Sequence, residues 1–134
     1  AAMPLVFICE DNGIGISTQT PSGWIEASFS NRPGLKYMRC NGLDIRDTYR
    51  VAREAAEYAR SKRKPAFLHL QCVRLYGHAG ADTPSAYLSR DQIEAAENND
   101  PLLHSAAILH QAGLLSLEQI LALYQQCEDR LQRI

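Results

Sequence analysis

Two β-rich apolar runs, Leu35–Cys40 (LKYMRC) and Ala66–Val73 (AFLHLQCV), bracket one uninterrupted helical pattern. That order leaves few folds open. Asp44 is a good N-cap with Asp47 in the first turn, and the helix is expected to run to about Ser61 before Pro65 ends the segment. Ile45, Tyr49, Ala52, Ala56 and Ala59 recur at helical spacing and predict one small apolar face. A strand, a helix of this length and a second strand make a βαβ unit, so the two strands are expected to be parallel. The fold class read from this order is α/β, a mostly parallel sheet with flanking helices.

The rest of the chain fits around that unit. Pro4–Cys9 (PLVFIC) is continuously apolar and reads as a central strand covered on both faces. Asp11-Asn12-Gly13 breaks it with turn chemistry, and Ser17–Gly34 reads as a long irregular loop. Arg74–Ser89 is a second glycine-bearing loop. Beyond it the sequence turns helical: a capping box at Ser89–Gln92, a cap and proline at Asp100-Pro101, a stop near Gly113 and another capping box at Ser116–Gln119. Leu117, Ile120, Leu121, Tyr124, Cys127 and Leu131 are expected to form the buried stripe of the last helix.

Charge and cysteine usage narrow the function classes. The formal net charge is −1, and the most basic stretch, Arg60–Lys64, sits where cations suit a helix C-terminus, so neither a nucleic-acid stripe nor an acidic tail is present. No apolar run approaches the ~20 residues of a membrane span, and AAMPLVFICE lacks the charged start of a secretory signal. Cys9, Cys40, Cys72 and Cys127 form no CxxC pair; the first three lie in strand-like runs as small buried hydrophobes. A reducing, cytoplasmic setting is expected.

Two loops carry candidate chemistry, EDNGIGIS (residues 10–17) and RLYGHAGAD (residues 74–82). Each follows a predicted parallel strand, so both are expected on the sheet edge where α/β folds bind ligands. In the first, the Asn12 amide oxygen and nearby backbone carbonyls suit a hard cation such as magnesium, and an ordinary turn is the competing reading. In the second, Arg74 offers a planar fork for phosphate and His78 a proton donor or acceptor, against a solvated pair. His69, within a strand, reads as a satisfied core or edge residue. His104 and His110, in or beside a helix, read as interfacial or solvated. No GxGxxG opens a helix after a strand, which disfavours a dinucleotide-binding domain.

PLVFICEDNGIGIST resembles the second half of the thiamine diphosphate motif in the alpha subunits of 2-oxo acid dehydrogenases, and VRLYGHAGADTPSAYLSRDQI resembles the same family's histidine loop. The stretch LKYMRCNGLDIRDTYRVAREAAEYARSKRKPAFLHLQ fits between them, so the likeness covers nearly the whole chain in order. It implies a partial thiamine-diphosphate-binding fold, with residues 1–88 as the carboxy-terminal half of that α/β domain and 89–134 as a helical extension. It further implies that Asn12 and the Ile14 carbonyl hold magnesium, that Arg74, Gly15 and His78 contact the cofactor, and that His78 is catalytic. The loop around His78 would become ordered over the cofactor, and Ser17–Gly34 and Leu75–Ser85 are expected to be mobile without it.

The implied activity is oxidative decarboxylation of a 2-oxo acid and reductive acylation of a lipoyl group, with a lean towards branched-chain substrates. The implied partners are a beta subunit or domain, the lipoyl domain of the acyltransferase component, and further copies in a homo- or hetero-oligomer. Departures from the family pattern are informative. The Gly-Asp-Gly half of the motif is absent, so the chain reads as a fragment that is inactive alone. Asp11 replaces the usual first asparagine and is expected to be tolerated; Ala79 replaces a serine that is phosphorylated in mitochondrial members, so such control is not expected here. Two alternatives stand beside this reading: a folded, non-catalytic subdomain, and a different thiamine enzyme such as an acetoin dehydrogenase or a transketolase-like protein.

Overall fold

The computed structural model describes residues 3–133. In chain order it contains β1 (Val6–Asp11), a short hairpin of β2 (Ile14–Gly15) and β3 (Thr18–Gln19), α1 (Trp24–Phe29), β4 (Lys36–Asn41), α2 (Ile45–Lys62) and β5 (Ala66–Gln71). A 3-10 turn at Pro84–Ala86 follows, and then α3 (Arg90–Asn98), α4 (Pro101–Gln111) and α5 (Leu117–Leu131). By packing the chain divides into two compact units, one running to Pro101 and one from Leu102 onward.

The first unit is built on a parallel sheet in the order β1-β5-β4. The expected βαβ unit is present: β4 and β5 are adjacent and parallel, joined by α2. Asp11, Gln71 and Asn41 lie level across the sheet, so all three strands end on one edge. Side chains alternate between the two faces. On one face Met38, Cys40, Leu68 and Leu70 pack with Val51 of α2. On the other, Phe67 stacks on Phe29 of α1 with ring centroids 4.3 Å apart, and Tyr37 and His69 lie beside it.

Three expectations are corrected. First, β1 is not central: among the described residues it pairs only with β5, and Phe7 and Ile8 are 50% and 63% exposed. The central strand is β5, whose Ala66, Phe67, Leu68 and His69 are all buried. Nor are both faces of β1 covered among the described residues, since Phe7 and Ile8 lie on opposite faces of the strand. Second, of the face expected for α2, Ala59 is buried and Ala52 packs against the core, but Val51 and Ala55 are buried with them and Ile45 and Tyr49 stand exposed. Thr48 hid the true face, being polar by type; its hydroxyl donates to the Asn41 carbonyl at 3.1 Å, which closes α2 onto the end of β4. Third, Ser17–Gly34 is not one irregular loop. It holds β3 and α1, and α1 is anchored by buried Ile25, by the Phe29–Phe67 stack and by Arg32, which lies over the Phe29 ring at 4.7 Å. A six-residue helix is too short to declare itself by periodicity.

Local signals at helix ends held. Asp44 caps α2 by accepting from the Arg46 backbone N–H, and Ser89 and Ser116 each close a full capping box with Gln92 and Gln119. Gly113, at φ 67°, terminates α4. In the second unit the expected α5 stripe is apolar but not buried: Ile120 is, while Leu117, Leu121 and Leu131 are at least 60% exposed. An apolar cleft of about 320 Å³ lies in this unit, lined by Leu102, Leu109, Leu115, Ile120, Leu123 and Tyr124 among others.

Candidate functional site

The turn after β1 is built from its own side chains. Asp11 Oδ1 accepts from the Gly13 N–H at 3.1 Å, and Asn12 Oδ1 accepts from the Ile14 N–H at 3.0 Å. Gly13 sits at φ 73°, a left-handed conformation that costs glycine little. The Gly13 carbonyl then accepts from the Thr20 N–H at 2.9 Å, and the β2–β3 hairpin locks the loop back on itself. Ile16, at the hairpin tip, has φ 58°. A β-branched residue in that region is strained, and such strain persists only where neighbours hold it. Here its carbonyl accepts from Arg74 Nη2 at 2.7 Å.

The loop after β5 closes over the same edge. The Cys72 N–H donates to the Asp11 carbonyl at 2.9 Å, carrying the β1–β5 pairing past the strand end and bringing Arg74 to the first loop. Besides Ile16, Arg74 Nη2 donates to the Tyr87 hydroxyl at 2.6 Å, and Tyr87 donates to Asp82 Oδ2 at 2.8 Å. Asp82 Oδ2 also accepts from the His78 backbone N–H at 2.6 Å and lies 3.8 Å from Arg74 Nη2. These donors, the His78 amide first, hold the Asp82 carboxyl below its ordinary range. Loss of solvation, with Asp82 beside it, pushes the Tyr87 phenol up. Gly77 is required by this closure, because a Cβ there would lie 2.5 Å from the Asp82 carbonyl oxygen.

Asn12, Ile14 and Arg74 line one cleft of about 240 Å³ at the carboxyl ends of β1 and β5, with Gln19, Leu88 and Gln92. Arg74 also lines a neighbouring cleft of about 250 Å³ with Leu75, Tyr76 and Pro84, so it stands between the two. Gly15 lies in the hairpin one residue beyond Ile14. His78 lines neither cleft; its side chain is on the exposed part of the loop. The donor set fits a hard cation that takes the rest of its shell from phosphate and water: one side-chain amide oxygen, one backbone carbonyl and a guanidinium beside them for the phosphate. Among the described residues no three His, Cys, Asp or Glu side chains gather as a metal centre of their own.

Two networks were not read from the sequence. One is the Arg74–Tyr87–Asp82 set above. The other lies beneath the first loop, where His69, 3% exposed, places Nε2 2.9 Å from Asp11 Oδ2 and Nδ1 2.6 Å from the Tyr37 hydroxyl. The second agrees with the reading of His69 as a satisfied core histidine. Burial, with Glu26 nearby, pushes the Tyr37 phenol up, which keeps it a hydrogen-bond donor.

The family described as dehydrogenase E1 component matches residues 1–133. The chain is 31% identical over 95% of its length to the 2-oxoisovalerate dehydrogenase subunit alpha of Bacillus subtilis, of which it covers 42%. It is 32% and 31% identical over 88% of its length to the mitochondrial pyruvate dehydrogenase E1 component subunit alpha, somatic form, of Sus scrofa and of Homo sapiens, covering 31% of each. The chain thus spans less than half the length of these relatives.

Proposed function

The chain belongs to the dehydrogenase E1 component family, and from that premise we propose that it serves as part of the alpha subunit of a thiamine-diphosphate-dependent 2-oxo acid dehydrogenase. The observation that carries this reading is the meeting of Asn12, Ile14 and Arg74 in one cleft at the sheet's carboxyl edge, from loops some 60 residues apart. Asn12 Oδ1 and the Ile14 carbonyl would hold magnesium, and Arg74 would bind the diphosphate. Gly15, without a side chain, would lie against the cofactor.

Thiamine diphosphate, when bound, supplies the electron sink through which a 2-oxo acid loses carbon dioxide. The chain's own residues bind, orient and shield. Arg74 has five N–H donors, and the two bonds to Ile16 and Tyr87 engage only Nη2, leaving the N–H groups of Nε and Nη1 for the phosphate. Asp82 and Tyr87 hold the loop that carries His78, and His78 would move a proton or orient the incoming lipoyl group. Among the described residues no carboxylate lines the cleft, and a beta subunit or domain would supply the acid that activates the cofactor. The 2-oxoisovalerate dehydrogenase relative supports a branched-chain substrate, and the four free cysteines support a reducing, cytoplasmic setting.

Calorimetric titration of thiamine diphosphate with magnesium into the assembled alpha–beta enzyme tests the reading. Arg74→Ala should weaken binding roughly 10–100-fold, because a hydrogen bond to a charged group is worth ~1.5–3 kcal/mol. Wild-type affinity in that variant would overturn the assignment.

A further inference from the structure

Tyr37, His69 and Asp11 come from β4, β5 and β1, and together they cross the whole sheet on one face. His69 is level with Cys9 and Arg39, so Asp11 and Tyr37 each lie two residues along the neighbouring strand, the diagonal reach of a long side chain. A carboxylate oxygen accepts, so His69 Nε2 donates to Asp11, while Nδ1 and the Tyr37 hydroxyl share the second hydrogen bond. Tyr37 is itself held by the Phe67 ring, stacked at 6.1 Å. The two oxygens of Asp11 are thereby divided: Oδ2 belongs to the sheet interior, and Oδ1 belongs to the Gly13 N–H of the cleft turn.

We propose that Asp11, clamped by His69 and Tyr37, is a positioning residue that fixes the turn presenting Asn12 and Ile14 to the metal. The proposal rests on the assignment of those two residues to magnesium. Without the clamp, only the local bond to the Gly13 N–H would hold the Asp11 side chain, and the Asn12 turn would sample other geometries. Outer partners of metal-binding groups act in this way, by restricting a ligand rather than touching the ion.

The test is the affinity of the assembled enzyme for Mn²⁺ at saturating thiamine diphosphate, with free Mn²⁺ followed by electron paramagnetic resonance. Asp11→Ala and His69→Leu should each raise the Mn²⁺ dissociation constant roughly 10–100-fold. The double variant should be no weaker than the weaker single one, since both break the same link. Asp11→Asn and His69→Gln should stay within about twofold of wild type, because each amide can still bridge its two neighbours. Thermal unfolding of each variant shows which are folded; if His69→Leu is not, Asp11→Ala, at a partly exposed position, decides alone. Asn12→Ala separates the two levels of the argument. If it weakens Mn²⁺ binding while Asp11→Ala and His69→Leu do not, or if those two effects simply add, the clamp is overturned and the metal assignment stands. If Asn12→Ala leaves Mn²⁺ binding unchanged, the metal assignment falls and the clamp's role falls with it.

Discussion

Asn12 and His78 both sit on loops at the carboxyl edge of the sheet, yet they are held in different ways. Asn12 is folded into a turn inside the cleft, with its side-chain oxygen on the Ile14 N–H. His78 is held only through its backbone, by Asp82, and its side chain is exposed. The two should therefore fail differently in the assembled enzyme. Asn12→Ala should raise the magnesium and thiamine diphosphate needed for half-saturation, and excess of both should recover part of the activity. His78→Ala should mainly lower turnover, by ~10²–10⁴-fold for a lost acid or base, with no recovery at excess cofactor. Titrating both ligands against each variant checks this; rescue of His78→Ala but not Asn12→Ala would reverse the roles. The turn at Asn12 and the loop that carries His78 were legible because turn chemistry is local. The Asp11–His69–Tyr37 clamp was not, because its bonds span 58 and 32 residues and no spacing rule links an acid, an imidazole and a phenol at such distances.

At the scale of elements, the helix starts were the clearest part of the sequence and are also titratable. Asp44 caps α2 and pairs with the Arg46 guanidinium, and the Arg46 side chain, then its backbone N–H, holds the Asp44 carboxyl at about 2, against an ordinary 3.8. A carboxyl whose folded value is depressed stabilises the fold in its ionised form. That contribution is complete above 3.8 and is lost as pH falls from 3.8 to about 2. Asp44→Asn keeps a capping oxygen but cannot ionise, so its melting temperature should fall less between pH 5 and pH 2 than that of wild type, as read by circular dichroism at 222 nm. Caps could be read because each is decided within four residues. The buried face of α2 could not, because alanines run round the helix and only packing against β4 and β5 chooses among them. The edge position of β1 was hidden for the same reason: pairing partners are a property of the assembled sheet.

At the scale of the molecule, the first unit carries a cleft lined by the amide side chains of Asn12, Gln19 and Gln92 and the Arg74 guanidinium, with no carboxylate among the described residues, and the second carries an apolar cleft and the exposed Leu117, Leu121 and Leu131. The chain by itself is therefore expected to show no turnover of 2-oxoisovalerate with thiamine diphosphate, magnesium and an artificial electron acceptor. Activity above the protein-free blank would refute that. The strand order has a further consequence, in time rather than space. The middle strand, β5, is the last of the three in the chain, so on a ribosome β1 and β4 emerge before the strand that joins them. The hairpin and α2 can form as they appear, but the sheet closes only when residues 66–71 arrive, and it then closes on both sides at once. Until that moment the β5-facing edges of β1 and β4 are unpaired, and open strand edges of this kind are where a nascent chain is prone to aggregate.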